Sequence, residues 1–136
     1  MDDRDPDGEI SLKSLGAWLA ALAVLLGAFG AHILSNILSQ EGLEWWQTGN
    51  EFLWYHALAV LVLSARNEIS KYSLIAMMSG LVFFSGGLFA YAISEESYFG
   101  IIIPIGGIQL VFAWCWVALQ LSSNLRNREN RSEEPG

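Results

Sequence analysis

The sequence predicts an all-α integral membrane protein: a bundle of four transmembrane helices with both termini on the cytoplasmic side. Three observations predict it. Hydrophobic residues make up 53% of the 136-residue chain and charged residues only 15%, against about 25% charged in an ordinary soluble domain. The charges are clustered, so that Ser14–Gln40, Phe52–Ala65, Tyr72–Ser94 and Ser97–Leu125 contain no Asp, Glu, Lys or Arg. All the Lys and Arg residues fall in three segments that four crossings would place on one side of a bilayer.

The first span is expected at Ser14–Leu38. Its leader, Met1-Asp2-Asp3-Arg4-Asp5-Pro6-Asp7, is acidic, whereas a secretory leader is basic with an apolar stretch of about 7–15 residues. The second charge-free run is shorter than the roughly 20 residues a helix needs to cross hydrocarbon. It gains length at its front, where Thr48-Gly49-Asn50-Glu51 has the form of a capping box, with Thr at the N-cap and Glu three residues on. That places the second span at Gly49–Ala65, with a start near Glu44 as the alternative. The third is expected at Tyr72–Ser94 and the fourth at Phe99–Leu121. Residues 1–12 and 122–136 read as flexible polar tails. A water-soluble bundle would need polar outer faces, and Leu15–Leu34 and Ile101–Leu121 have almost none.

Orientation follows from the basic residues, because Lys and Arg in short loops mark the cytoplasmic side. Arg4, Lys13, Arg66, Lys71, Arg126, Arg128 and Arg131 occupy the two tails and the middle link. The two opposite links carry Glu41, Glu44, Glu95 and Glu96 instead. Trp45, Trp46, Trp54 and Tyr98 are then expected near the outer interface, which amphipathic rings favour. The net charge of −7 argues against nucleic-acid binding, which needs a basic face. Cys115 is the only cysteine, which excludes an intramolecular disulfide and a cysteine metal cluster.

Lipid tails are as apolar as Leu, so helices in a bilayer associate through close backbone packing at small residues. The first span carries Gly16, Ala20, Ala23, Gly27 and Gly30 along one stripe. The expected packing residues are Gly27, Gly30, Gly86, Gly87, Gly106 and Gly107, with Pro104 beginning or bending the last helix. Polar residues inside the spans are costly unless partnered. At about 1.5 Å per residue, His32 and His56 both fall about 9–11 Å below the outer interface. Ser85 and Gln109 fall near the same level, and His32 shares its helical face with Asn36. His32, Asn36, His56, Ser85 and Gln109 therefore form the candidate ligand-binding or buried polar network. The plainest reading of the two imidazoles is a hydrogen-bond network joining helices. A small polar-ligand, quinone or ion site, and a haem held between His32 and His56, stay open beside it. No catalytic constellation and no metal site is expected, and no cofactor.

Several blocks resemble the domain-of-unknown-function 423 family. They are Gly27-Ala28-Phe29-Gly30-Ala31-His32, Trp46-Gln47-Thr48 with Tyr55-His56-Ala57-Leu58-Ala59, Phe84-Ser85-Gly86, and Pro104-Ile105-Gly106-Gly107. The resemblance runs from about Gly16 to Leu119. It implies a small four-helix membrane protein, akin to bacterial inner-membrane members and the eukaryotic transmembrane protein 256 group, with no established activity. The chain departs from the family pattern at Ile103, Gly87 and Ala113-Trp114, which removes hydroxyls from the shared polar level. The expected function is that of a non-enzymatic structural or accessory subunit of a membrane assembly. A small-solute carrier or channel with a polar site in the outer leaflet half, and a haem- or quinone-binding redox subunit, are the alternatives. The expected surroundings are the lipid bilayer and a membrane-protein partner or further copies of the chain, with no nucleic acid. A bacterial plasma membrane is favoured over an organelle inner membrane.

Overall fold

The computed structural model describes residues 11–96 and 98–132, so most of the expected N-terminal tail lies outside the described residues. In chain order, α1 spans Leu12–His32, α2 Gln40–Leu63, α3 Lys71–Leu81, α4 Gly87–Ser94 and α5 Phe99–Ser132. A 3-10 turn at Leu34–Asn36 follows α1, and a π-helical turn at Val82–Gly86 joins α3 to α4. No strand occurs among the described residues. Three helical stretches are long and apolar enough to cross a membrane: Leu12–Asn36, Lys71–Ser94 and Phe99–Asn127. The second helix has the length but not the apolarity, since Gln47, Thr48, Asn50, Glu51 and His56 all lie within it.

The boundaries differ from expectation in three places. The second helix begins at Gln40, nine residues before Gly49, because Ser39 caps it by accepting the Gly42 amide at 3.1 Å. Side-chain bonds between Gln40 and Glu44, and between Glu41 and Trp45, stabilise the added turns. Thr48 therefore does not cap a helix; its hydroxyl donates to the Glu44 carbonyl at 3.0 Å. The long first span ends as helix at His32 and turns through the 3-10 segment. The last helix runs past Leu121 to Ser132, with Ser123 and Asn124 each bonding the Gln120 carbonyl.

Packing follows chain order. Besides the turn that follows it, α1 packs against α2 alone among the described elements, α2 packs against α3 and α4, and these pack against α5. The buried positions of α1 are Gly16, Ala23 and Gly30, seven residues apart. That heptad stripe is the seam on which α2 lies. Trp18, Leu22, Leu25 and Phe29 form the opposite, exposed stripe. The second helix buries Gly42, Trp46, Gly49, Leu53, His56, Ala57, Val60 and Leu63 along one face. The main core gathers Leu53, Val60, Leu74, Met77, Leu81, Leu110, Ala113 and Val117 between α2, α3 and α5.

Candidate functional site

The inner face of α2 is built by glycines that let side chains reach backbone. Trp46 is 5% exposed, and its indole Nε1 donates to the Leu26 carbonyl of α1 at 3.0 Å. Gly30 makes this reach available, because a Cβ there would lie 2.6 Å from that same nitrogen. One turn on, Asn50 projects into the space left by Gly27, where a Cβ would lie 2.9 Å from Asn Nδ2. Sequence reasoning had Trp46 at the outer interface. The need of a buried indole N–H for an acceptor, beside a Gly-rich neighbour helix, was the signal for its actual role.

His56 is buried and bonded through both ring nitrogens. Trp114 of α5 can only donate, so its Nε1 fixes His56 Nε2 as an acceptor at 3.2 Å. His56 Nδ1 then carries the hydrogen and donates to the Phe52 carbonyl at 2.8 Å. This tautomer follows from the bonding network. The ring stacks on Phe52 at an interplanar angle of 17°. No lone pair of the imidazole remains free for a ligand. Trp114, one of the departures from the family pattern, is the partner that ties α2 to α5.

The two histidines do not meet. The contacts Gly16–Leu61, Gly27–Asn50 and Gly30–Trp46 fix an antiparallel register between α1 and α2. His32 therefore lies level with Glu44 or Trp45, eleven or twelve residues from His56, which is about 17–18 Å along the helix. His32 is exposed, and Asn36 beside it donates to the His32 carbonyl at 3.3 Å. The expected common depth rested on a second helix starting at Gly49. Its earlier start carries His56 inward, and one haem iron cannot be shared by imidazoles so far apart.

Gln109 is level with His56 but faces α3, donating to the Ala76 carbonyl at 3.2 Å and to the Ser79 hydroxyl. Gln120 faces α3 too, near its Lys71 end, accepting from the Ser70 amide and the Ser73 hydroxyl, each at 3.2 Å. Ser85 sits in the π-turn, 2% exposed. Its hydroxyl and the Asn50 side-chain carbonyl are buried without a hydrogen-bond partner among the described residues.

The π-turn also explains the α5 glycines. Its widened ring of bonds exposes backbone, and Gly106 packs directly on it. A Cβ at Gly106 would overlap the Phe84 amide nitrogen and lie 2.8 Å from the Phe83 carbonyl carbon and 2.9 Å from the Gly80 carbonyl oxygen. Gly87 meets the Ile103 side chain and Gly107 the Phe84 ring. Gly86 meets nothing within 4 Å, so the packing expected of it falls to Gly80, against Leu110. Pro104 lies inside α5, which begins ahead of it at Phe99, so the Gly100 carbonyl loses its helical donor. Gly100, Ile103 and Pro104 join Trp45 and Tyr91 around a cavity of about 270 Å³ near the start of α5. A neighbouring cavity of about 320 Å³ shares those rings and adds Ser39, Glu41, Gly42 and Glu95. There the Ser39 hydroxyl donates to Glu95 at 2.9 Å, joining the α1–α2 and α4–α5 connections.

Comparison with known proteins bears on this arrangement. Residues 26–107 match the family described as protein of unknown function (DUF423). The UPF0382 membrane protein YwdK of Bacillus subtilis is 35% identical over 111 residues, covering 77% of this chain and 90% of the relative. The UPF0382 inner membrane protein YgdD of Escherichia coli K12 is 36% identical over 108 residues, covering 76% and 80%. A UPF0382 membrane protein of Haemophilus influenzae is 36% identical over 99 residues, covering 70% and 80%. No solved structure matches.

Proposed function

The chain belongs to the DUF423 family of membrane proteins of unknown function, and from that premise we propose that it is a four-span protein with both termini in the cytoplasm, acting as a non-enzymatic accessory subunit of an inner-membrane assembly. The observation that carries the four-span reading is the α1–α2 register. Contacts from Gly16–Leu61 to Gly30–Trp46 lay the second helix alongside the first over most of its length. If α1 crosses the bilayer, the helix bound along it crosses too. Four crossings then bring the basic tails and the middle link to one side.

The accessory role is supported by how the polar side chains are used. His56, Trp114, Gln109 and Gln120 each tie one helix to another. Meanwhile α1 offers every face but one to its surroundings. Purification from native membranes in mild detergent, followed by quantitative mass spectrometry, is expected to find a stoichiometric partner or a stable oligomer. A lone monomer contradicts the accessory role.

A carrier for a small polar solute is the second reading, favoured by the unpartnered Asn50 carbonyl and Ser85 hydroxyl. It predicts liposome flux that Asn50→Ala or Ser85→Ala reduces. Vesicles that stay sealed to every solute tried contradict it.

A further inference from the structure

The back of α2 differs from its inner face. Glu44, Gln47, Glu51 and Tyr55 follow one another in steps of three and four, and all four are exposed. They lie opposite the buried stripe of Gly49, Leu53, Ala57 and Val60. The same stripe continues inward as Leu58 and Val62, both exposed. The face is thus polar along its outer half and apolar along its inner half.

Glu51 is the deepest charged group on it. It is eleven residues from the start of α2 at Gln40, about 16 Å at a rise of about 1.5 Å per residue. By register it is level with Leu25 and Leu26 of α1, near the middle of the Leu12–Asn36 span. A glutamate side chain is too short to reach the headgroups from there, unlike a Lys or Arg stem. Intramembrane carboxylates normally face a bundle interior or a partner charge. Glu51 faces outward, with no hydrogen-bond or ion-pair partner among the described residues.

We propose that the back of α2, from Glu44 to Tyr55, docks a transmembrane helix of another protein that carries a Lys or Arg side chain at the depth of Glu51. Charge complementarity sets the occupant. A second copy of this chain brings no cation to that depth from among the described residues, because Lys13, Arg66, Lys71, Arg126 and Arg131 all lie toward the opposite end of the bundle. Lipid tails offer the carboxylate nothing. A basic residue on a partner helix neutralises it and fixes register, while Leu58 and Val62 supply apolar contact below. This rests on the four-span reading and names the chemistry of the partner in it.

The test uses the full-length protein in phosphatidylcholine vesicles with a labelled polyleucine transmembrane peptide. One peptide carries a single central Lys and its control carries Leu there, and association is read by energy transfer to a label at the protein's C-terminus. The Lys peptide is expected to associate about tenfold more tightly than the control. Glu51→Gln is expected to abolish that preference, and Glu44→Gln to keep most of it. Absence of a Lys preference, its survival in Glu51→Gln, or Glu51-dependent pairing of two copies of this chain overturns the proposal. Glu51→Cys with Cys115→Ser separates the two failures. If water-soluble maleimide labels that variant fully, the four-span reading falls and the docking face with it. If the cysteine is protected and no Lys preference is found, the docking face alone falls.

Discussion

The seam between α1 and α2 and the seam between α5 and the Lys71–Ser94 helix both rest on glycine, yet they meet their neighbours differently. In the first, only Gly16 meets backbone, with a would-be Cβ 2.7 Å from the Leu61 nitrogen. Toward the His32 end, Gly27 and Gly30 meet the Asn50 and Trp46 side chains. That seam is tight near Gly16 and wedged open by polar side chains near Gly30. In the second seam, Gly106 is surrounded by backbone atoms of the π-turn, with bonds from Gln109 and Gln120 spread along the same interface. A side chain can shift to admit a methyl group and a helix backbone cannot. Because α1 packs on α2 alone among the described helices, while α2, α3, α4 and α5 each pack on at least two others or on the π-turn, α1 is an arm laid along a core of the remaining helices.

Substitutions at these positions sharpen that contrast. The largest effect is expected at Gly106→Val, which forces the π-turn off α5. Overpacking of this kind costs about 1–3 kcal/mol, and this site belongs at the top of that range. Thermal unfolding in detergent should show the loss, and a melting temperature equal to wild type would deny the tight contact. Gly16→Ala comes next, at about 1–2 kcal/mol. It should raise protease or labelling access to the α1–α2 seam while α5 stays packed. Equal loosening at both seams would remove the distinction between arm and core.

A smaller effect is expected from the tie between α2 and α5. His56→Leu and Trp114→Phe should each cost between about 0.6 and 1.7 kcal/mol, the average and the maximum for polar contacts between membrane helices. The double variant should cost clearly less than the two together, since both remove one bond. Full additivity contradicts the bond. Gly86→Ala should be neutral or stabilising by up to about 1 kcal/mol, because alanine is the better helix former and the space is open. A marked loss of stability would contradict its placement.

Much of this fold was legible in the residue pattern. The apolar runs gave three spans to within a turn or so at most ends. The heptad of Gly16, Ala23 and Gly30 gave the face of α1 that packs. The second helix was read too short because Gln47, Thr48, Asn50 and Glu51 look like a loop with a cap. In the folded chain most of that polar stretch is accommodated. Asn50 turns to α1, Thr48 to its own helix and Glu51 to the outside. Nothing local to residues 40–51 announces that, since it depends on which helices lie alongside. The misplaced start then made His32 and His56 seem level. The partners of His56, Gln109 and Trp46 on other helices were equally out of reach, because each is a backbone carbonyl, a serine hydroxyl or an indole far away in sequence. The π-turn has no signature in Val82-Phe83-Phe84-Ser85-Gly86 that separates it from α-helix.

The most direct test of the account is the path of α2 through the bilayer. In a Cys115→Ser background, Ser39→Cys and Asn67→Cys bracket the helix, and an impermeant maleimide is added to intact cells before and after permeabilisation. Labelling of Ser39→Cys in intact cells, with Asn67→Cys reacting only once the membrane is opened, is the result predicted. Reaction of both cysteines from the same side would mean that α2 does not cross, and would contradict the account.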